Sequence, residues 1–245
     1  MAWAVNEGRR DIAIWGGDGT LSRALQALHE LGALDKMRLA LIPAGTCNDF
    51  ARKVRVPLWD AVFRNPMTGQ DHRFDLGVVE HAEGTRVFVN NAGFGRQPYA
   101  RRDKRPSPVM DILRLKSQSL QIETRDEGQV SRLNVDGLMA IVCNAPYFGG
   151  GLLFSKDVLP DDGRLNGFFL KDQFRLRVLW SFIRGRAGQP FSNGGLVSVS
   201  GDSIRVRTSS ALYPQADGES ASVDGVGEIF FKVMPKAFTL FIPKS

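Results

Sequence analysis

The chain has 245 residues, 43% of them hydrophobic and 24% charged. That balance is ordinary for a globular protein with a real core, and no internal repeat or low-complexity segment stands out. Lys and Arg number 32 against 26 Asp and Glu, giving a net charge of +6 and a pI near 9.6, which favours anionic partners. Cys47 and Cys143 show no metal-ligand spacing and His29, His72 and His81 are isolated; no apolar run approaches the ~20 residues of a membrane-spanning helix, and the N-terminus lacks a signal-peptide core. Reduced thiols and a cytoplasmic location are the expectation.

In chain order, Ile12, Ala13, Ile14 and Trp15 read as a short buried strand, and Leu21, Ala24, Leu25, Leu28 and Leu31 recur at helical spacing. Between them lies Gly16-Gly17-Asp18-Gly19-Thr20. A strand, a glycine turn and a helix in that order gather main-chain N–H groups and the positive end of the helix dipole at one point, which suits a phosphate. Asp18 would repel a bare phosphate, so its place in the turn implies work on Mg2+ or on the proton of an attacking hydroxyl. The same residues also make an ordinary tight turn.

Leu39, Ala40, Leu41 and Ile42 form a second strand, which runs into Pro43-Ala44-Gly45-Thr46-Cys47-Asn48-Asp49 with Asn48 or Asp49 suited to capping the next helix. Two adjacent parallel strands would bring Asp18, Thr20, Thr46 and Asp49 to one carboxyl edge, where open α/β sheets bind ligands.

The pattern changes near residue 72. Short β-type runs follow at 74–79, 86–90, 138–143, 166–170, 196–200, 203–207, 227–233 and 238–242, interrupted by expected helices at 109–117 and 174–184. The fold class expected is α/β plus all-β: a nucleotide-binding lobe over 1–72, a β-sandwich-like lobe over 73–245 whose last strand returns to the first lobe, and a cleft between them. Arg101, Arg102, Lys104 and Arg105, and later Arg175, Arg177, Arg184 and Arg186, form basic clusters with apolar neighbours. They suit an anionic membrane surface but equally a solvated face or an amphipathic helix. No nucleic-acid motif accompanies them, so no nucleic-acid partner is expected.

Seven motifs stand in one order: GGDGT at 16–20, IPAGTCNDFAR at 42–52, FDLG at 74–77, NNAGFG at 90–95, NAPYFGGG at 144–151, DDGRL at 161–165 and DGE at 217–219. In this the chain resembles the diacylglycerol kinase catalytic-domain family, which includes soluble bacterial lipid kinases and the sphingosine and ceramide kinases. The resemblance implies transfer of the γ-phosphoryl group of ATP to the hydroxyl of diacylglycerol or a related lipid, with Mg2+. Gly16, Gly17, Gly19 and Thr20 would cradle phosphates, Gly45 and Thr46 would form the second wall, and Asn48 and Asp49 would fix that turn or reach the ribose and metal. Glu219 is the expected general base with Asp217 in support, Asp18 being a metal ligand or the alternative base and Asp75 a substrate-binding carboxylate. DDGRL resembles a structural Mg2+ loop, with Asp162 and the carbonyls of Leu159 and Leu165 as ligands; Gly149, Gly150 and Gly151 would permit close packing.

Family members carry a further strand and an Asn-Pro turn ahead of the GGDGT strand, whereas here Met1 lies just before it. The expectation is a nucleotide lobe incomplete at its N-terminus, with an unpaired strand edge that promotes aggregation or dimerisation. Two alternatives stay open: a kinase-fold protein that binds lipid or nucleotide without turnover, and a soluble phosphotransferase of the NAD kinase kind.

Overall fold

Two strand–turn–helix units build the first lobe of the structure, a computed structural model that describes residues 1–57, 68–95, 116–148, 151–172, 184, 195–222 and 224–243. The two helices expected at 109–117 and 174–184, the basic clusters and Gly149 and Gly150 fall wholly or mainly outside these residues. A short helix α1 (Ala2–Asn6) precedes β1 (Asp11–Gly16) and α2 (Asp18–Glu30); a 3-10 turn at Leu34–Lys36 leads to β2 (Arg38–Pro43) and α3 (Asp49–Lys53). β1 and β2 run parallel, in register from Asp11 opposite Arg38 to Gly16 opposite Pro43. Their turns therefore leave the sheet at the same level. Leu21, Leu25 and Leu28 of α2 are fully buried in a core shared with Ile14, Leu39 and Leu41 of the two strands; each such leucine contributes about 1.5–3 kcal/mol.

The remaining strands pair antiparallel with one another. β3 (Gly69–His81) and β4 (Gly84–Phe88) form a hairpin, followed by β5 (Asn91–Phe94). β6 (Gln118–Asp126) and β7 (Gln129–Cys143) form a second hairpin. Its turn residues Glu127 and Gly128 have φ of 48° and 84°, the paired positive angles that suit the twist of a two-residue hairpin. β8 (Tyr147–Phe148) and β9 (Leu152–Leu153) pair apart from the main sheet. β10 (Leu165–Lys171), β11 (Leu196–Gly201), β12 (Ser203–Leu212), β13 (Gln215–Ala216), β14 (Glu219–Ser220) and β15 (Val226–Pro243) complete it. The chain is thus α/β followed by a sandwich-like lobe, mostly sheet with few helices among the described residues. None of those helices is long and apolar enough to cross a membrane.

β15 joins the two lobes. The runs expected at 227–233 and 238–242 are halves of this one 18-residue strand, interrupted by an irregularity between Met234 and Phe238 where Lys236 takes a φ of 51°. Its first half pairs with β12 and β3, while Thr239–Phe241 pairs in parallel with Arg38–Ala40 of β2. β3 follows β15 along both halves. At the junction Phe50 of α3, Phe74 of β3 and Phe238 of β15 meet edge-to-face or tilted, with ring centroids 5.5–6.0 Å apart. Such aromatic pairs add about 0.5–1.5 kcal/mol beyond burial, so this trio fixes α3 against both lobes.

Candidate active site

The two turns that end β1 and β2 pack backbone against backbone. The Ala44 N–H donates to the Gly16 carbonyl at 3.0 Å. A Cβ on Gly45 would stand 2.4 Å from the Gly17 Cα, and one on Gly17 would stand 2.8 Å from the Gly45 Cα. Any side chain there would force the turns apart. At Gly19, by contrast, a Cβ would meet nothing within 4 Å, so this first-turn position faces open space. Thr20 folds its side chain over Gly16, where a Cβ would come within 2.4 Å of the Thr20 hydroxyl oxygen. Thr46 is exposed at the rim.

The capping of α3 differs from expectation. Asn48 stands at the N-cap with a φ of 51° and makes no side-chain bond into the helix. Its carboxamide instead brackets Gly45, accepting that residue's N–H at 3.0 Å and donating to its carbonyl at 2.8 Å. The cap comes from the other turn: Asp18 accepts the N–H groups of Asp49 at 2.9 Å and Phe50 at 3.0 Å. A carboxylate is a strong acceptor for such orphan donors and favours the positive helix end.

A cleft of about 310 Å³ opens beside these turns, lined by Asp18, Asp49, Asn90 and Asp217 and by Met139 and Ile141 of β7 among others. Asn90 is only 4% exposed. Its amide group donates to Asp18 at 3.3 Å, while its Oδ1 is buried without a hydrogen-bond partner. Cys47 also lines the cleft; burial, then the charges of Asp49 and Asp18, push its thiol up and keep it protonated. Arg52 stands at the rim, donating to the Cys47 carbonyl at 3.0 Å, 3.6 Å from the Asp49 carboxylate and over the ring of Tyr147.

Asp217 and Gly218, with φ of 47° and 82°, form the tight turn between Ala216 of β13 and Glu219 of β14. The Asp217 carboxylate accepts the N–H groups of Val89 at 2.8 Å, Asn90 at 2.9 Å and Asn91 at 3.1 Å, and the Ser22 hydroxyl of α2 as well. Burial pushes its carboxyl above the ordinary value, while the three N–H groups and the hydroxyl pull the other way. Its acceptor sites serve the bend between β4 and β5. Glu219 points elsewhere: one oxygen accepts from Arg86 at 2.7 Å and the other from Arg23 at 3.4 Å.

Asp75, expected at the acceptor, is instead fully buried. Its carboxylate is occupied by the N–H groups of Gly163 at 2.6 Å and Lys236 at 2.7 Å, and its own N–H donates to the Pro160 carbonyl at 2.8 Å. It is absent from the cleft lining and ties β3, the 160–163 loop and the β15 irregularity together. In that loop Asp162 accepts the Arg164 N–H at 3.0 Å, Leu165 is buried in β10 and Leu159 is 43% exposed. Burial, then the charges of Asp75 and Asp161, raise the Asp162 carboxyl. The Lys236 ammonium reaches the Asp161 carbonyl. Among the described residues no three His, Cys, Asp or Glu side chains converge as a metal cluster.

The structure thus brings Asp18, Asp49 and the Gly17 and Gly45 turns together, sets Glu219 just beyond the cleft and keeps Asp75 and Asp162 away from it. The sequence reading assigned no role to Asn90, Arg52 or Arg86. The signal for the first two was their position inside NNAGFG and NDFAR; Arg86 carries none.

Residues 1–79 match the family described as the diacylglycerol kinase catalytic domain, and residues 107–242 match the YegS C-terminal NAD kinase beta sandwich-like domain. A Staphylococcus epidermidis protein named "Putative lipid kinase" is 26% identical over 94% of this chain and 75% of its own length. A Bacillus subtilis protein, "Putative lipid kinase YtlR", is 23% identical over 85% of this chain and 73% of its own. The crystal structure of a diacylglycerol kinase from Bacillus anthracis superposes with a TM-score of 0.70 at 21% identity, covering 98% of this chain and 80% of that one. That superposition establishes the likeness of fold.

Proposed function

We propose that this chain, which belongs to the diacylglycerol kinase catalytic-domain family, transfers the γ-phosphoryl group of ATP to the hydroxyl of diacylglycerol or a related lipid alcohol at an anionic membrane surface on the cytoplasmic side. The observation that carries the reading is the backbone-on-backbone packing of the Gly17 and Gly45 turns, which open beside a cleft bearing Asp18, Asp49 and Asn90. Phosphoryl transfer asks for positioning and charge neutralisation rather than covalent help, and turns of this kind supply both.

The cleft suits a hard cation. The orphaned Asn90 Oδ1 is an oxygen donor buried beside two carboxylates, and Mg2+ is commonly held by one or two carboxylates together with phosphate oxygens. Asp18, Asp49 and Asn90 would hold it, and when bound it neutralises charge on the phosphates. Gly16, Gly17, Gly19 and Thr20 offer amides and a hydroxyl to the nucleotide from one turn, Gly45 and Thr46 from the other. Arg52 adds positive charge at the rim.

On the acceptor side, the lipid oxygen forms its bond to the γ-phosphorus as the bond to the β,γ-bridging oxygen breaks. The hydroxyl proton goes to a carboxylate, help that is worth roughly 10²–10⁴ in rate. We assign this step to Glu219, a half-exposed carboxylate next to the cleft-lining Gly218, whereas Asp217 is buried with its acceptor sites serving three N–H groups and a hydroxyl and Asp18 caps α3.

The test is transfer of labelled γ-phosphate from ATP to a panel of lipid alcohols in mixed micelles, with Mg2+ and with Asp18→Ala and Glu219→Ala as controls. Phosphorylated diacylglycerol, lost in both variants, supports the reading. A folded protein that binds nucleotide or lipid and makes no product would identify a binding protein, and transfer to a soluble acceptor alone would identify a different phosphotransferase.

A further inference from the structure

The Asp217–Glu219 turn is held from both ends. Its inner end is Asp217, bonded to the main chain at Val89, Asn90 and Asn91. Its outer end is Glu219, and the residue that grips it is Arg86. One guanidinium nitrogen of Arg86 donates to Glu219 Oε2 at 2.7 Å and another donates to the Ser220 carbonyl at 3.1 Å. A planar guanidinium that contacts a side chain and the adjoining main chain fixes orientation as well as position. The second cation at Glu219, Arg23, is 3.4 Å away on a side chain 68% exposed, a looser contact.

Arg86 is itself well placed to act as a fixed point. It lies in β4 opposite Val79 of β3. The next residue, Val87, donates its N–H to Gln26 of α2 at 2.8 Å, so the strand is tied to the helix that begins at Asp18. The same strand leads directly to Asn90, which lines the cleft. One short segment therefore sets the nucleotide-side oxygen donor, receives Asp217 and orients Glu219. Exposed ion pairs contribute little to stability, and this one is 34% and 44% exposed on its two sides. Its value lies in orientation.

We infer that Arg86 is a positioning residue for the phosphoryl transfer: it aims the Glu219 carboxylate and holds the turn that carries it. This rests on the reading of Glu219 as the proton acceptor. With the aim lost, kcat falls roughly 10- to 100-fold, the scale on which about an ångström of misplacement acts. KM for ATP stays near the parent value, since Arg86 is not part of the cleft wall.

The experiment is a double-mutant cycle in the mixed-micelle assay with Arg86→Gln, Glu219→Gln, the pair together and Arg86→Lys, each checked for a cooperative thermal melt. The inference expects Arg86→Gln to lower kcat with KM for ATP kept, Arg86→Lys to recover part of the loss, and Arg86→Gln to cost nothing further once Glu219→Gln is present. An Arg86→Gln enzyme as fast as or faster than the parent overturns it. So does a loss of the same size in both backgrounds, because Arg86 would then act other than through Glu219. A Glu219→Gln enzyme with full activity, or a parent with no transfer, refutes the reading of the site itself and is seen without any Arg86 variant.

Discussion

The carboxylate of Asp18, in the first turn of α2, accepts the N–H of Asp49 at 2.9 Å and so caps a helix that belongs to the other strand–turn–helix unit. The bond links the two turns through their charged residues, as the Gly17–Gly45 contact links them through backbone. Asp18→Ala orphans the N–H groups of Asp49 and Phe50, each costing about 1–3 kcal/mol when buried. For a chain of this size that is a fall of roughly 4–24 °C in Tm. Asp18→Asn keeps an acceptor oxygen and loses less. Thermal melts of the two variants check this; equal melting of Asp18→Ala and the parent would show that the cap carries no stability. Both variants lose nucleotide affinity, because the carboxylate also faces the cleft.

The glycines of the two turns separate stability from binding. Gly45→Ala brings a Cβ within 2.4 Å of the Gly17 Cα and forces two main chains apart, so it lowers both Tm and ATP affinity. Gly19→Ala meets nothing within 4 Å and sits in a helix, where alanine is favoured by up to about 1 kcal/mol. It is expected to melt at or above the parent temperature while binding ATP more weakly, its methyl group standing where the proposed site takes the phosphates. Melting curves and nucleotide titration on one preparation decide the matter. Unchanged affinity in Gly19→Ala would move the phosphates away from this turn.

Much of this architecture was legible because local pattern and tertiary role coincide. Ile12 to Trp15 and Leu39 to Ile42 are apolar runs that stop at glycine turns, and α2 buries Leu21, Ala24, Leu25 and Leu28 at helical spacing. β6 was missed. Its residues alternate Leu120, Ile122 and Thr124 with Gln121, Glu123 and Arg125, and only the first set is buried, so its polar half hid the strand. β15 was read as two strands because Pro235 and Lys236 interrupt the apolar pattern at the irregularity. The site residues stood in their motifs, but their tasks did not: whether a carboxylate faces a cleft or a row of N–H groups depends on partners far along the chain, as Asp75 depends on Gly163 and Lys236.

Asp217 illustrates the point with a measurable consequence. Asp217→Ala leaves three N–H groups at the β4–β5 bend without their acceptor, at about 1–3 kcal/mol each. The variant is expected to lose at least ~3 kcal/mol, a large share of the 5–15 kcal/mol that holds a typical domain folded. Glu219→Gln, on a half-exposed side chain, should unfold within about 1 kcal/mol of the parent. Urea denaturation of both compares them directly. A stable Asp217→Ala protein would return that carboxylate to the list of candidate proton acceptors.

Asp162 gives the pH dependence. Its carboxyl is raised above the ordinary value of 3.8, first by burial and then by the charges of Asp75 and Asp161. A raised carboxyl binds its proton more tightly in the folded chain than in the unfolded one, so it favours folding below the unfolded value and loses that contribution as pH climbs through the folded value. At neutral pH the ionised group works against the fold. Asp162→Asn removes the charge and keeps the oxygen that accepts the Arg164 N–H. It is expected to raise Tm at pH 7 and to converge on the parent below about pH 4, where the parent side chain is itself protonated. Millimolar Mg2+ without nucleotide should reproduce the gain in the parent, and not in Asp162→Asn, if the 159–165 loop takes a cation. A lower Tm for Asp162→Asn at pH 7 would mean that attraction to Arg164 outweighs repulsion from the two neighbouring carboxylates.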